Sequence, residues 1–189
     1  MQKILIISGH PNLAESVGNA SILNDVANAL PEAEIRRLDS LYPDFKINVS
    51  DEQDALLNAD VIVWQFPFSW YSVPGLMKLW IDLVFVHGFA HGSTAKLGGK
   101  KLIVSFTTGA PQELYSPEGF FMHNVKDYLA QFETTASLCN LDLQEPIYTC
   151  GISYAGRDDA KTAEQKVMVS KHAARLIDAI KEMTLELAV

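Results

Sequence analysis

The chain has 189 residues, 48% of them hydrophobic and 20% charged, with a formal net charge of −8. That length fits one domain with a full core of its own, and the composition is that of an ordinary globular protein. The negative charge argues against nucleic acid and anionic membrane surfaces as main partners.

Ile4–Ser8 reads as a short buried strand. Its apolar run is too short for a signal peptide, and His10-Pro11-Asn12 ends it without a small-residue cleavage site. Gly18–Leu30 carries helical periodicity and stops at Pro31, and Glu34–Leu38 is a second strand. Ser50 with Gln53 predicts a capping box that opens a helix running to about Asn58. Val61–Gln65 is the third strand and Pro74–Val86 the third helix. A glycine-rich connection, His87 to Gly99, leads to a fourth strand, Lys101–Phe106. A helix is expected over Phe121–Cys139, a fifth strand over Ile147–Cys150 and a long closing helix over Asp158–Leu187. No stretch approaches the length of a membrane span. Cys139 and Cys150 are isolated thiols in apolar contexts, which predicts buried, reduced cysteines in a cytoplasmic protein.

Five strands separated by helices predict an α/β fold, a parallel sheet with helices on both faces. The flavodoxin-like order 2-1-3-4-5 is the expected one, with a ligand site at the carboxyl ends of strands one, three and four. Three unusual loops fall there. Gly9–Asn19 offers helix-start N–H groups and the Ser16 and Asn19 side chains for a phosphate, or plain capping by the same two residues. It matches neither G-x-G-x-x-G nor the P-loop pattern. Gln65–Val73 crowds Phe66, Phe68, Trp70 and Tyr71 into a proline-stiffened turn, which suits either a core cluster or the wall of a site for a flat, π-rich ligand. Thr107-Thr108-Gly109-Ala110 can turn backbone amides toward a ligand, with the Tyr115 phenol nearby, or form an ordinary turn.

Taken together, Gly9-His10-Pro11 with Ser16 and Asn19, Leu41-Tyr42-Pro43-Asp44-Phe45, Gln65-Phe66-Pro67-x-x-Trp70-Tyr71-x-Val73-Pro74 and Thr107-Thr108-Gly109-Ala110 resemble the flavodoxin-like NAD(P)H:quinone oxidoreductases. These include the DT-diaphorases and the small bacterial ancillary subunits of glutathione-gated potassium-efflux systems. The resemblance covers nearly the whole chain as one flavodoxin-like domain, 1–189. It implies a flavin cofactor, NADH or NADPH as donor, a quinone-type acceptor, ping-pong turnover and a homodimer. Residue by residue, it places His10, Ser16 and Asn19 at the flavin phosphate, and Pro67, Phe68, Ser69, Trp70 and Tyr71 beside the isoalloxazine. Thr107, Thr108, Gly109 and Tyr115 would lie near the pyrimidine edge, with Tyr115, Trp70 and Tyr71 in the catalytic role. Phe89 and His91 would reach the substrate side across the dimer interface. DT-diaphorases carry a histidine six residues after the tyrosine; here Phe121 stands at that position, with His123 two beyond it. Ala110 replaces the last glycine of a Thr-Thr-Gly-Gly turn, where positive φ would be harder to reach. The segment between Tyr42 and Gln65 is short, which favours FMN over FAD.

Other motifs carry less. Gly151-Ile152-Ser153-Tyr154-Ala155 falls one glycine short of a nucleophile elbow. His87 and His91 are separated by glycines that disfavour a regular helix, so no metal site is expected. His172 reads as a surface or boundary residue of the last helix. Two other roles stay open, an electron-carrier flavodoxin and a regulatory subunit of a potassium-efflux transporter.

Overall fold

A computed structural model describes residues 2–186. Its elements are β1 (Ile4–Ser8), α1 (Gly18–Ala29), β2 (Glu34–Arg37), α2 (Leu38–Leu41), α3 (Val49–Asn58), β3 (Val61–Pro67), α4 (Gly75–Val84), β4 (Lys101–Thr107), α5 (Ala130–Leu138), β5 (Asp142–Leu143), β6 (Ile147–Thr149) and α6 (Asp159–Glu186). The strands are all parallel, in the order β2-β1-β3-β4, with β5 and β6 sharing the outer edge of β4. This is the expected 2-1-3-4-5 order.

Strand periodicity sorts the two cores. Leu5, Ile7, Ile62, Trp64, Phe66, Leu102, Val104 and Phe106 pack in one aromatic-rich core with Trp80 of α4 and Phe132 of α5. Ile4, Ile6, Val61, Val63 and Ile103 pack on the other face against Ile22 and Val26 of α1 and Val169, Leu176 and Ile180 of α6. With both faces covered, β1 and β3 read as continuous apolar runs. On the α1/α6 face the pattern changes toward the carboxyl ends of the strands. Ile4 and Ile6 give way to Ser8, Val61 and Val63 to Gln65, Ile103 to Ser105 and Thr107, and Ile147 to Thr149. A polar layer therefore closes the aliphatic core where the sheet meets its loops.

Several expected boundaries move, four of them for a visible local reason. The helix expected from Phe121 starts at Ala130, because the Asn124–Asp127 capping box first opens a 3₁₀ turn, Val125–Leu129, and Met122 holds positive φ. In α3 it is Asn48, not Ser50, whose side chain accepts the Asp51 N–H, while Gln53 donates to the Val84 carbonyl of α4 at 3.1 Å. The fifth strand is interrupted: Lys101 pairs with Asp142 but Ser105 pairs with Ile147, a slip of one residue. Pro146, which has no N–H for the ladder, sits in that bulge. The second strand ends at Arg37, and Leu38 begins the short α2. The expected end of the last helix at Leu187 lies outside the described residues.

Candidate functional site

A crevice of about 540 Å³ opens at the carboxyl ends of β1, β3 and β4. Its floor and near wall come from the first loop. There His10 Nδ1 accepts the Asn12 N–H at 3.1 Å, which leaves the ring proton on Nε2 as a donor. Burial lowers the His10 pKa below its ordinary value, so the ring is neutral near pH 7. The Asp39 carboxylate accepts the Leu13 N–H at 2.9 Å and pins the loop. Ser16 Oγ accepts the Asn19 N–H at 3.0 Å, the capping geometry of a helix start. The N–H groups of Val17 and Gly18 are then left without an intrahelical partner at the positive end of the α1 dipole. Arg157 lines the same crevice from the turn before α6, and Glu15 adds one carboxylate at its edge.

The far wall is the turn after β3. Ser69 and Ser72 exchange both backbone hydrogen bonds, at 2.9 and 3.0 Å, around Trp70 and Tyr71. Both central residues hold positive φ, 47° and 63°. This is the turn geometry that normally selects Asn-Gly, and for bulky side chains it is strained. Tyr71 gains from its position by stacking on Tyr128 at 5.1 Å and meeting Phe121 edge-on at 5.5 Å. Gln131 of α5 ties the turn down, accepting from Ser72 Oγ at 2.9 Å. Trp70, by contrast, is 92% exposed. Such strain in an unsupported aromatic suggests a binding surface rather than packing.

The profile of the flavodoxin-like fold matches residues 2–173. The chain belongs to the flavodoxin-like family. It is similar to general stress protein 14 of Treponema denticola, solved in complex with FMN, with 30% identity over 95% of this chain and 99% of that one and a TM-score of 0.83. It is also similar to a thermophilic tryptophan halogenase of Streptomycin violaceusniger, with 32% identity over 89% and 97% of the two chains and a TM-score of 0.78. An NADPH-quinone reductase of P. pentosaceus shares the fold, with 24% identity over 92% and 98% and a TM-score of 0.68.

Within this flavodoxin-like chain, His10, Ser16, Asn19, Pro67, Ser69 and Thr107 line one crevice. Trp70 and Tyr71 form the turn on its rim, and Phe68 packs inward on Phe106 at 4.9 Å. The third loop is arranged differently from expectation. The Thr108 N–H is spent on the Thr149 carbonyl at 3.0 Å and its hydroxyl on the Ala110 carbonyl at 2.7 Å. Gly109 faces a neighbouring depression beside Cys150, and neither it nor Ala110 needs positive φ, so alanine is tolerated there. Tyr115 is 5% exposed and lies 4.8 Å from the Phe121 ring; burial raises its pKa, keeping the phenol protonated. Phe89 is buried in this chain's own core, and His91 lies against His87 at 5.4 Å. His123 is a surface residue, 3.9 Å from the Asp127 carboxylate. Arg157 and Tyr154 of the crevice follow a glycine-rich turn that carried no phosphate-site pattern in the sequence.

The strained turn makes a direct prediction. Trp70→Asn keeps an exposed side chain but suits positive φ, so unfolding free energy should rise by about 0.5–1 kcal/mol. Urea denaturation measures this, and a loss of stability would show that contacts rather than strain dominate at Trp70.

Proposed function

We propose that the chain is a flavin-dependent NAD(P)H:quinone oxidoreductase that binds FMN in this crevice. The observation that carries the reading is the pairing of a polar pocket with an aromatic turn on its rim. At one end lie the α1 amides of Val17 and Gly18, Arg157 and the His10 Nε2–H, all donors suited to a phosphate. Next to the lining residues Pro67 and Ser69 stands the Trp70–Tyr71 turn, an aromatic wall suited to a planar ring. The FMN carried by the Treponema relative, at 30% identity, supports the same choice. When bound, the flavin supplies two-electron hydride chemistry, accepting from NADH or NADPH and passing on to a quinone-type acceptor in ping-pong fashion. The chain's own residues bind and orient: the amides and Arg157 fix the anionic end, the Thr107 hydroxyl meets an acceptor atom, and Trp70 and Tyr71 exclude water from the stacking face.

A homodimer is part of this proposal. Trp70, Phe120 and Met122 are 92%, 80% and 70% exposed on adjoining loops, whose Tyr71 and Phe121 rings meet at 5.5 Å. A second copy would cover them.

The purified chain should be yellow or take up FMN, and anaerobic NADH or NADPH should bleach it until a benzoquinone is added. A colourless chain that binds neither FMN nor FAD sinks the proposal; flavin left oxidised by both nucleotides assigns an electron carrier instead. Arg157→Met should weaken FMN binding about 10-fold or more, the loss expected for one charge-assisted hydrogen bond, and leave riboflavin binding unchanged. Fluorescence titration with the two ligands measures it; equal losses for both would remove Arg157 from the phosphate end.

A further inference from the structure

Beneath the crevice, on the α1/α6 face, the polar ends of the strands form one continuous chain. Arg175 Nη2 donates to Thr149 Oγ1 at 3.1 Å, and Thr149 Oγ1 lies 3.0 Å from His172 Nδ1. His172 Nε2 lies 2.8 Å from Ser105 Oγ, which donates to Gln65 Oε1 at 2.6 Å. Gln65 Nε2 donates to Asn19 Oδ1 at 2.8 Å, and Asn19 Nδ2 donates to Thr107 Oγ1 at 3.1 Å. Asn19, Gln65, Ser105 and His172 are all buried, Thr107 lines the crevice, and Arg175 is exposed at the opposite end. The histidine expected at the surface or the boundary is thus the centre of a buried relay.

Every member both gives and receives, so the chain has only two self-consistent directions. In one, each group donates toward the crevice: Thr149 to His172 Nδ1, His172 Nε2–H to Ser105, and so on to Thr107. The Thr107 hydroxyl proton then finds no acceptor among the described residues and is left for whatever occupies the crevice. In the other, both amides flip, every proton points back toward α6, and Thr107 offers only lone pairs. That direction makes Thr149 accept from both His172 and Arg175 and strands its own proton. Arg175 donates to Thr149 in either direction, but its positive charge disfavours a second N–H, from His172 Nδ1, aimed at the same oxygen, so Arg175 biases the chain to the first direction.

We propose that Arg175 and His172 are positioning residues that, through this chain, set Thr107 as a hydrogen-bond donor to an acceptor atom of the ligand in the crevice. The ligand's identity as a flavin rests on the function proposed above; the direction of the chain does not. Each link polarises the next, so the cation at the surface strengthens the donor at the site.

The test begins on the flavin-free protein, by ¹⁵N NMR of labelled histidine. His172 should carry its proton on Nε2 with Nδ1 bare; a proton on Nδ1 overturns the proposal. Arg175→Met, a change at an exposed position, should move a substantial fraction of His172 to the Nδ1–H tautomer, and an unchanged tautomer again overturns it. FMN titration then closes a double-mutant cycle. Thr107→Val and Arg175→Met should each weaken binding several-fold, but in the Thr107→Val background Arg175→Met should add nothing. Separated, unconnected sites would combine multiplicatively, and that result sinks the coupling. If the wild-type chain binds no flavin at all, the proposed function fails while the tautomer result still decides the chain's direction.

Discussion

Glu52→Ala should destabilise the fold by about 3–5 kcal/mol, the cost of leaving the partners of a buried ion pair unpaired. The Glu52 side chain is fully buried between β2, α2 and α4. Its Oε1 receives Arg36 Nε at 2.9 Å, Arg36 Nη2 at 2.6 Å and the Tyr42 hydroxyl, and its Oε2 receives the Trp80 indole N–H at 2.8 Å. Removing the carboxylate strands four donors at once, two of them on a guanidinium that is only partly exposed. Burial, and then the hydrogen bond to Glu52, push the Tyr42 phenol up to about 12, so it is a donor at neutral pH. Glutamine is no remedy, since one of its two ends would turn an N–H₂ toward donors. Glu34 provides the control, because it pairs with the same Arg36 at 2.9 Å from a half-exposed position. Glu34→Ala should cost no more than about 1 kcal/mol. Urea midpoints with unchanged slope measure both. Similar losses for the two variants would show that the buried carboxylate's attraction merely offsets its desolvation.

Glu52 and His172 show where sequence reading stops. Both lie deeper than their residue types suggest, and His172 was expected at the surface or boundary: Glu52 shares a helical stripe with Ala55 and Leu56, and His172 stands three residues after Val169 and four before Leu176. What the pattern could not supply was the partners that make a carboxylate or imidazole acceptable inside, since Arg36, Trp80, Ser105 and Thr149 come from other elements. The change from aliphatic to polar at the ends of β1, β3, β4 and β6 follows period-two spacing, but only the strand order places those residues side by side beneath the crevice. The parallel sheet followed from alternation, because parallel strands need crossovers, while the order 2-1-3-4-5 came from the flavodoxin-like pattern expected of five such strands. The misplaced start of α5 has a local cause: Phe120, Phe121 and Met122 look helical, while the Asn124–Asp127 box that begins the turn is a short polar signal. The turn after β3 was legible from its prolines, but its positive-φ geometry was not, since Trp70 and Tyr71 both contradict the preference of the turn they occupy.

His172 also gives the chain a specific sensitivity to acid. Burial, reinforced by the Arg175 charge, lowers its pKa to about 3, against about 6.5 in an unfolded chain. Between those values the unfolded state holds a proton that the folded state lacks. Stability therefore rises with pH through this window and falls on acidification, by about 1.4 kcal/mol per pH unit from this group alone. The chemistry fits the geometry: an imidazolium would donate from both nitrogens, leaving the Thr149 proton without an acceptor a short distance from the Arg175 cation. His172→Gln removes the titration while keeping a polar side chain. It should cost about 1–3 kcal/mol at pH 7, through imperfect bonding to Ser105 and Thr149. Below pH 6.5 the gap between wild type and variant should close by about 1.4 kcal/mol per unit, so that the two become equal near pH 5. Denaturation curves for both proteins between pH 7.5 and 4.5 test this, since carboxylate titrations common to the two cancel in the difference. Parallel profiles would mean that His172 takes up its proton in the folded state as readily as in the unfolded one, and the buried relay would then have to accommodate a charged ring.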